Sequence, residues 1–225
     1  MRDALLASCP ILVWLITAIQ ALLMILAFGG WKQKREPLYL LTALVALGLF
    51  YDALILSLGT LMQGGPLLAA LSRMRYVAHG ALIPLLFAIC AYALDFNRTW
   101  KTVVWVLTGI LIAAGIAEGF ATALDLREAA GLVRYASGDA TPGWAQAVSG
   151  VLSYGAVVPL ILAGIVVWVK QKTPLLFLSG FLMFAFSALG PATGNMDLNF
   201  LITMFGEVFL VLFFLLYARR KAKTK

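Results

Sequence analysis

Residues 38–61 read LYLLTALVALGLFYDALILSLGTL, an apolar stretch in which Asp52 is the single charged residue. A helix of ~20 apolar residues, rising 1.5 Å per residue, spans the ~30 Å hydrocarbon core of a bilayer. Six more apolar stretches of similar kind occur along the chain, and most charged residues lie between them. The seven predicted spans are Leu5–Gly29, Leu38–Leu61, Tyr76–Leu94, Val103–Leu126, Val148–Val169, Pro174–Leu189 and Phe200–Tyr217.

The composition supports a membrane protein. The chain of 225 residues is 63% apolar, and its mean hydropathy is +0.97, which exceeds what soluble domains carry. The seven spans leave no room for a folded domain outside the membrane. We therefore predict an all-α integral membrane bundle of seven transmembrane helices, formed as a single domain by residues 1–225, with residues 218–225 as a basic cytoplasmic tail.

The basic residues between the spans predict the orientation. Twelve of the seventeen Lys and Arg residues fall on one side and five on the other. Because short cytoplasmic loops carry the excess of Lys and Arg, the N-terminus is predicted outside and the C-terminus in the cytoplasm. The twelve are Lys32, Lys34, Arg35, Arg98, Lys101, Lys170, Lys172, Arg219, Arg220, Lys221, Lys223 and Lys225; the five are Arg2, Arg73, Arg75, Arg127 and Arg134.

This asymmetry also bears on partners and location. The net charge of +7 is explained by topology, so no nucleic-acid partner is predicted. The basic tail suits anionic lipids of the inner leaflet, each basic residue contributing ~1 kcal/mol near the surface. We expect a multi-pass protein of the bacterial inner (plasma) membrane, with the lipid bilayer as its partner and a homo-oligomer left open.

Turn signals mark the longest connector, which runs from Leu126 to Ala147 on the outer side. Gly138-Asp139 and residues 141–144 favour turns, and the segment Leu132–Tyr135 fits either one arm of a hairpin or a surface helix. Pro66 is expected to open the third span early. Pro84 and Pro159 lie inside spans and are expected to kink them.

Ionisable residues inside the spans are the main candidates for function. A charge at bilayer depth costs ~2.5–3.5 kcal/mol even on a lenient scale, so it must be paired, neutral or turned toward a wet cavity. By the predicted topology, most of these residues lie ~5–14 Å below the outer boundary. They are Asp52, Arg75, His79, Glu118 and Glu207.

Helical spacing places several of these residues on shared faces. Arg75 and His79 are separated by four positions, and Thr203 and Glu207 continue a stripe that begins at Asn199. Inward orientation of these faces predicts a polar ligand pocket that is open to the outside. Its candidate rim residues are Tyr51, Tyr154 and Asn195. Two alternatives are that the buried charges only pair with one another between helices, and that they form an ion or proton path.

Missing motifs argue against most enzymes and cofactors. His79 is the single histidine, so a haem held by two histidines of one chain is excluded, and Cys9 and Cys90 lie in different spans, which leaves no usual zinc site. The sequence contains no nucleophile elbow, phosphate-binding loop or zinc-protease motif. We predict neither a metal nor a catalytic residue.

The third span resembles that of microbial rhodopsins. Arg75-Tyr76 is followed by Pro84-Leu85-Leu86, which is similar to the rhodopsin third helix, where an outer Arg-Tyr pair precedes Pro-Leu-Leu at the same spacing. The resemblance implies a seven-helix bundle with Arg75 as an outer gate or ligand group. It does not imply retinal, because residues 197–218 contain no lysine for the Schiff base, and Ala78 stands where a carboxylate is expected.

These observations together predict a non-enzymatic membrane protein, similar to a sensor or receptor, that binds a small ligand in an outward-facing polar pocket. Arg75 is assigned to an anionic group of the ligand, His79 to pH sensitivity, and Glu207 to a deeper hydrogen bond. The first alternative is a proton- or ion-coupled transporter. The second is a lipid-modifying enzyme with His79 as base, and the third is an assembly subunit that takes no small ligand.

Overall fold

The computed structural model of the protein describes residues 2–193 and 198–224. Its described residues form helices joined by short connectors, with one pair of strands. The elements are α1 (Arg2–Lys34), α2 (Pro37–Leu58), α3 (Pro66–Leu82), α4 (Leu85–Ala93), α5 (Arg98–Ala121), β1 (Leu124–Ala129), β2 (Leu132–Ser137), α6 (Gly143–Gln171), α7 (Leu175–Thr193) and α8 (Asn199–Thr224).

Helix length and composition are consistent with a multi-pass membrane protein. Among the described residues, six helical segments are long and apolar enough to cross a bilayer, with α3 and α4 counted as one segment. A further apolar helix, Leu175–Leu189, is shorter than these six. The prediction of a helical bundle is therefore confirmed, while seven crossings and the orientation of the termini stay predictions.

The helices run back and forth between two ends of the bundle. The most extensive packing is between α1 and α2, between α7 and α8, between α3 and α5, and between α6 and α7. Helix α8 also packs against α1 and α2, which closes the arrangement. We call the end that carries β1 and β2 the hairpin end, and the end where α8 finishes the tail end.

The third span is broken, as the proline in it predicts. Helix α3 ends at Leu82 and α4 begins at Leu85, so Pro84 lies between them. Proline lacks the N–H that a continuous helix needs. The turn is closed by shorter-range bonds, from the Leu86 N–H to the Ile83 carbonyl at 3.0 Å and from the Phe87 N–H to the Pro84 carbonyl at 3.1 Å. Pro159, in contrast, lies inside a continuous α6, so that predicted kink does not divide its helix.

The connector between α5 and α6 forms a β-hairpin rather than a surface helix. Strands β1 and β2 pair antiparallel from Leu124–Ser137 to Ala129–Leu132. The two turn residues, Ala130 and Gly131, have φ values of 55° and 74°, as a two-residue turn between twisted strands requires. The Val133 N–H donates to the Gly59 carbonyl at 2.9 Å, and this bond fixes the hairpin to the end of α2.

The tail end is filled by packing. A large apolar cluster extends from Leu23 of α1 to Tyr217 and Ala218 of α8. The Tyr217 hydroxyl lies 3.2 Å from the Ala93 carbonyl and 3.0 Å from the side-chain oxygen of Gln171. Lys221 donates to the Tyr92 carbonyl at 2.7 Å and to Asp95 at 2.8 Å. The described part of the predicted tail, residues 218–224, thus continues α8, and Lys221 closes the end of α4.

Helices α3 and α5 approach so closely that their backbones touch. A Cβ added at Gly115 would overlap the backbone of Gly80, and one added at Gly119 would overlap that of Val77. Small residues of this kind let membrane helices pack backbone against backbone. The crossing brings Glu118 of α5 within the same region as His79 of α3.

Replacing Gly115 by alanine is expected to destabilise the protein by about 1–3 kcal/mol, because the methyl group meets backbone that cannot move aside. The measurement is thermal denaturation of the purified protein in detergent micelles. Gly109→Ala on the same helix is the matched control, since its methyl group meets nothing within 4 Å and alanine favours helix. Equal loss of stability in both variants would contradict the packed crossing.

Candidate functional site

A polar cavity lies at the hairpin end, between α2, α3, α5, α6, α8 and β2. Its volume is about 290 Å³. Six of the residues predicted from the sequence line it: Asp52, Arg75, His79, Glu118, Thr203 and Glu207. Five more polar residues line it, namely Tyr76, Arg134, Ser149, Ser153 and Asn199, together with the apolar Leu56, Phe200 and Met204. The helices therefore turn these faces toward one another, as helical spacing predicts, while ligand binding by them stays a prediction.

The three predicted rim residues have different positions. Tyr154 is 68% exposed and lines a second cavity beside the first. Tyr51 donates its hydroxyl to the Leu71 carbonyl at 3.2 Å and is not part of the polar cavity's lining. Its visible role is to join α2 to α3. Asn195 lies outside the residues that the structure describes.

Arg75 and Asp52 form an ion pair at the centre of this site. Their closest atoms, Nη1 and Oδ1, are 3.3 Å apart, and both side chains are largely buried. Arg75 also donates to the Tyr135 carbonyl of β2 at 3.1 Å, and its guanidinium lies 4.9 Å from the ring centre of Tyr76. Asp52 and Arg75 thus pair with one another between helices, as one of the alternatives predicts. Through its further contacts Arg75 joins α2, α3 and the hairpin.

Arg134 of β2 is a site residue that sequence reasoning missed. Its guanidinium stacks 4.5 Å from the ring centre of Phe200 and lines the polar cavity. Burial, followed by the like charge of Arg75, lowers the pKa of Arg134 below its ordinary value. Strand periodicity could have found it, because Leu132 packs inward and a residue two positions later faces the same way.

Glu118 is buried but has a partner. The Thr122 hydroxyl lies 3.1 Å from the Glu118 side-chain oxygen and 3.0 Å from the Glu118 carbonyl. Both residues sit at the last turn of α5, as their four-residue spacing predicts. Glu118 is thus held locally by its own helix.

Glu207 is the buried carboxyl with an unmatched oxygen. The residue is 5% exposed, and its Oε2 has no hydrogen-bond partner within the described ranges. The Oδ1 atom of Asn199, two turns earlier on the same stripe of α8, is also buried without a described partner. Buried polar atoms are almost always hydrogen-bonded, so these two acceptors mark a place where a partner from outside the described chain fits.

A second, mainly apolar cavity adjoins the polar one. Its volume is about 370 Å³. It shares five residues with the polar cavity: His79, Ser153, Asn199, Thr203 and Glu207. Most of its remaining lining is apolar, namely Leu49, Ile83, Leu86, Val157, Met183, Phe184 and Leu210. The two cavities therefore meet at a common wall formed by α3, α6 and α8.

A polar groove connects this region to the surface of the hairpin end. The groove has a volume of about 410 Å³ and includes Asp139 and Gln146. It shares Ser149 and Ser153 with the polar cavity, and Ser153 and Tyr154 with the apolar one. Polar groups thus line a route from the surface to Glu207.

Two further polar features were not anticipated. Gln20 of α1 is fully buried, and neither side-chain polar atom has a partner in the described chain. Near it in sequence, the hydroxyls of Thr17 and Ser57 are 2.7 Å apart and join α1 to α2. Arg73 donates to the carbonyls of Gly119, Phe120 and Thr122 and so closes the end of α5. Glutamine carries no charge, which is why Gln20 escapes a search for ionisable residues.

The residues of the site do not form a metal centre. Within residues 2–193 and 198–224, no group of three or more His, Cys, Asp or Glu side chains is placed to hold a metal ion.

The chain matches no model of a known protein family and no curated protein sequence. The geometry of the site therefore carries the functional argument.

Removing one member of the central ion pair is expected to cost more than removing both. Asp52→Leu leaves the Arg75 guanidinium buried without its counter-ion, a loss of about 3–5 kcal/mol. The double variant Asp52→Leu/Arg75→Met should recover part of that loss, as measured by thermal denaturation in detergent. With Arg75→Met measured as well, losses that simply add in the double variant would show that the pair is not coupled.

Proposed function

We propose that this chain is a non-enzymatic membrane protein, similar to a sensor or receptor, that binds a small ligand at its hairpin end. One observation carries the proposal. The polar and apolar cavities meet at five shared residues, and Glu207, which belongs to both, has a buried oxygen without a described partner. A ligand with a polar and an apolar part fits such a site, since pockets combine apolar walls with a few fixed polar groups.

The proposed topology places this site on the outer face. The chain would cross the bacterial inner membrane seven times, as a single domain with the N-terminus outside and the C-terminus in the cytoplasm. The excess of Lys and Arg on the tail side supports this orientation, and the arrangement agrees with the seven-helix bundle implied by the rhodopsin resemblance. The polar groove would then open to the exterior.

The interruption of the third span at Pro84 gives a bound ligand a way to change the conformation of the protein. His79 of α3, Ile83 at the break and Leu86 of α4 all line the apolar cavity. A bound molecule would therefore contact both sides of the Pro84 break at once. A ligand shifts a conformational equilibrium when it binds one arrangement more tightly than another, so the angle between α3 and α4 is the proposed signal.

A coupled transporter is less well supported. A carrier must expose its site to the cytoplasm, and the tail end is occupied by the large apolar cluster and by the contacts of Tyr217 and Lys221. The apolar cavity reaches this cluster at Leu49, Leu86 and Leu210, but neither Tyr217 nor Lys221 lines either cavity. A lipid-modifying enzyme would rely on His79 as base, and no described hydrogen bond joins His79 to the hydroxyls of Ser153 or Thr203 in the shared lining.

Filling the junction of the cavities is expected to abolish binding of an apolar probe. Ser153→Phe should weaken binding of 1-pyrenylmethanol at least tenfold, because the added ring occupies space that both cavities share. Binding is measured by equilibrium dialysis with the protein in lipid nanodiscs, and empty nanodiscs are subtracted. Val158→Phe places the same aromatic ring at a position of α6 that lines neither cavity and should leave binding unchanged. Equal binding by Ser153→Phe and the unsubstituted protein would contradict the proposed pocket.

Liposome flux separates a receptor from a carrier. The proposed receptor should conduct no protons or small ions above empty liposomes, either as wild type or as Glu207→Gln, because the tail end is closed. Internal pH is followed with a trapped fluorescent indicator under an imposed ion gradient. Measurable flux that Glu207→Gln abolishes would favour the transporter.

A further inference from the structure

We propose that the ligand of this site is a cationic amphiphile, a protonated amine carried on a compact apolar body. The ammonium group binds Glu207, and the apolar body lies in the neighbouring apolar cavity. The inference rests on the proposed function, since it specifies the chemical class of the ligand for the same pocket. Three features of the site support it independently: its unmatched acceptors, its charge balance and its apolar wall.

The unmatched acceptors call for a donor. Glu207 is 95% buried, since its exposed fraction is 5%, and its Oε2 lacks a described partner. Asn199 Oδ1 is a second such acceptor, and Thr203 lies between them on the same stripe of α8. An ammonium group has N–H donors only and no acceptor. It therefore satisfies a carboxylate without leaving an unmatched lone pair of its own.

The charge balance favours a cation over an anion. With every carboxylate ionised, three acidic residues face two arginines in the polar cavity: Asp52, Glu118 and Glu207 against Arg75 and Arg134. Arg75 is paired with Asp52 and donates to the Tyr135 carbonyl, and Arg134 stacks on Phe200. The Nε atoms of both arginines are buried without a described partner, but the net balance of the cavity stays negative by one charge. No salt bridge of the described residues includes Glu207. A monovalent cation restores neutrality, whereas an anion would place like charge beside a buried carboxylate, which is unfavourable.

The apolar wall favours an amphiphile over a simple inorganic cation. The lining of the apolar cavity is dominated by aliphatic and aromatic side chains, including Leu49, Val157, Met183 and Phe184. Glu207 belongs to that lining as well as to the polar cavity. An amphiphile whose charged end meets Glu207 can thus bury its apolar end in the same step, and removal of apolar surface from water favours binding.

Three probes that share one apolar body test the proposal. They are 1-pyrenylmethylamine, 1-pyrenylmethanol and 1-pyrenecarboxylate, which are cationic, neutral and anionic near neutral pH. Each is measured by equilibrium dialysis against the full-length protein in zwitterionic nanodiscs, with empty nanodiscs subtracted. We expect the amine to bind at least tenfold more tightly than the alcohol, and the carboxylate to bind most weakly.

Glu207→Gln keeps the size of the side chain and removes its charge. In this variant the amine should fall to the affinity of the alcohol, while the alcohol binds as it does to the unsubstituted protein, which also reports an intact cavity. Glu128→Gln makes the same chemical change at an exposed position of β1 and should preserve the tenfold preference for the amine. Glu207→Asp keeps the charge and should retain a preference for the amine.

The outcomes separate this inference from the proposed function. Equal affinities for the three probes, or tightest binding of the carboxylate, would overturn the ligand class, and the pocket itself would stand if Ser153→Phe still blocked binding. A tenfold preference that persists in Glu207→Gln would also overturn it. If Glu207→Gln also loses binding of the alcohol, Glu207→Asp becomes the deciding variant. A Glu207→Asp protein that shows no preference for the amine over the alcohol would then refute the assignment of Glu207 to the ammonium group. Binding of no probe above empty nanodiscs would contradict both proposals.

Discussion

A buried ion pair organises the hairpin end of this bundle. Arg75 of α3 lies 3.3 Å from Asp52 of α2 and also donates to the Tyr135 carbonyl of β2. A charge in apolar surroundings is stable only with a compensating partner, so these contacts fix α2, α3 and the hairpin relative to one another. One wall of the polar cavity consists of this pair. The remaining charged groups of the cavity are arranged around it.

The two ends of the bundle solve the same problem differently. At the tail end, side chains of α8 satisfy the carbonyls at the end of α4, and the large apolar cluster fills the space behind them. At the hairpin end, polar groups line open volume, and two buried acceptors have no described partner. Irregular backbone and free polar groups at membrane depth are tolerated where they line a cavity. This asymmetry is the structural basis for a site that opens to one face.

Close helix packing and a broken helix bring the site together. The contact of Gly80 with Gly115 brings α5 against α3, which allows Glu118 and His79 to line one cavity. The interruption at Pro84 separates α3 from α4, and residues on both sides of it contribute to the site, since His79 lines both cavities and Leu86 lines the apolar one. Neither feature would be expected to bind a ligand itself. Together they determine which side chains can share a volume.

Much of this arrangement follows from residue patterns. Apolar stretch lengths predict the helices, proline chemistry predicts the starts of α3 and the break before α4, and the cost of buried charge singles out Asp52, Arg75, His79, Glu118 and Glu207. The residue pattern of Leu132–Tyr135 fits a hairpin arm and a surface helix alike, because so short a segment gives little periodic signal. Arg134 and Gln20 were not found, since the first depends on how the hairpin folds over the bundle and the second carries no charge.

The sequence by itself determined that the ionisable residues within the spans must be paired, neutral or turned toward a cavity, because isolated charges are too costly in an apolar environment. Only the tertiary structure decided which of them are paired. The contacts between helices bring Arg75 and Asp52 together as an ion pair. Glu207, where the two cavities meet, has an oxygen without a described hydrogen-bond partner. Spacing along one helix fixes the face a residue occupies, whereas the distance between residues of different helices depends on how closely the backbones pack.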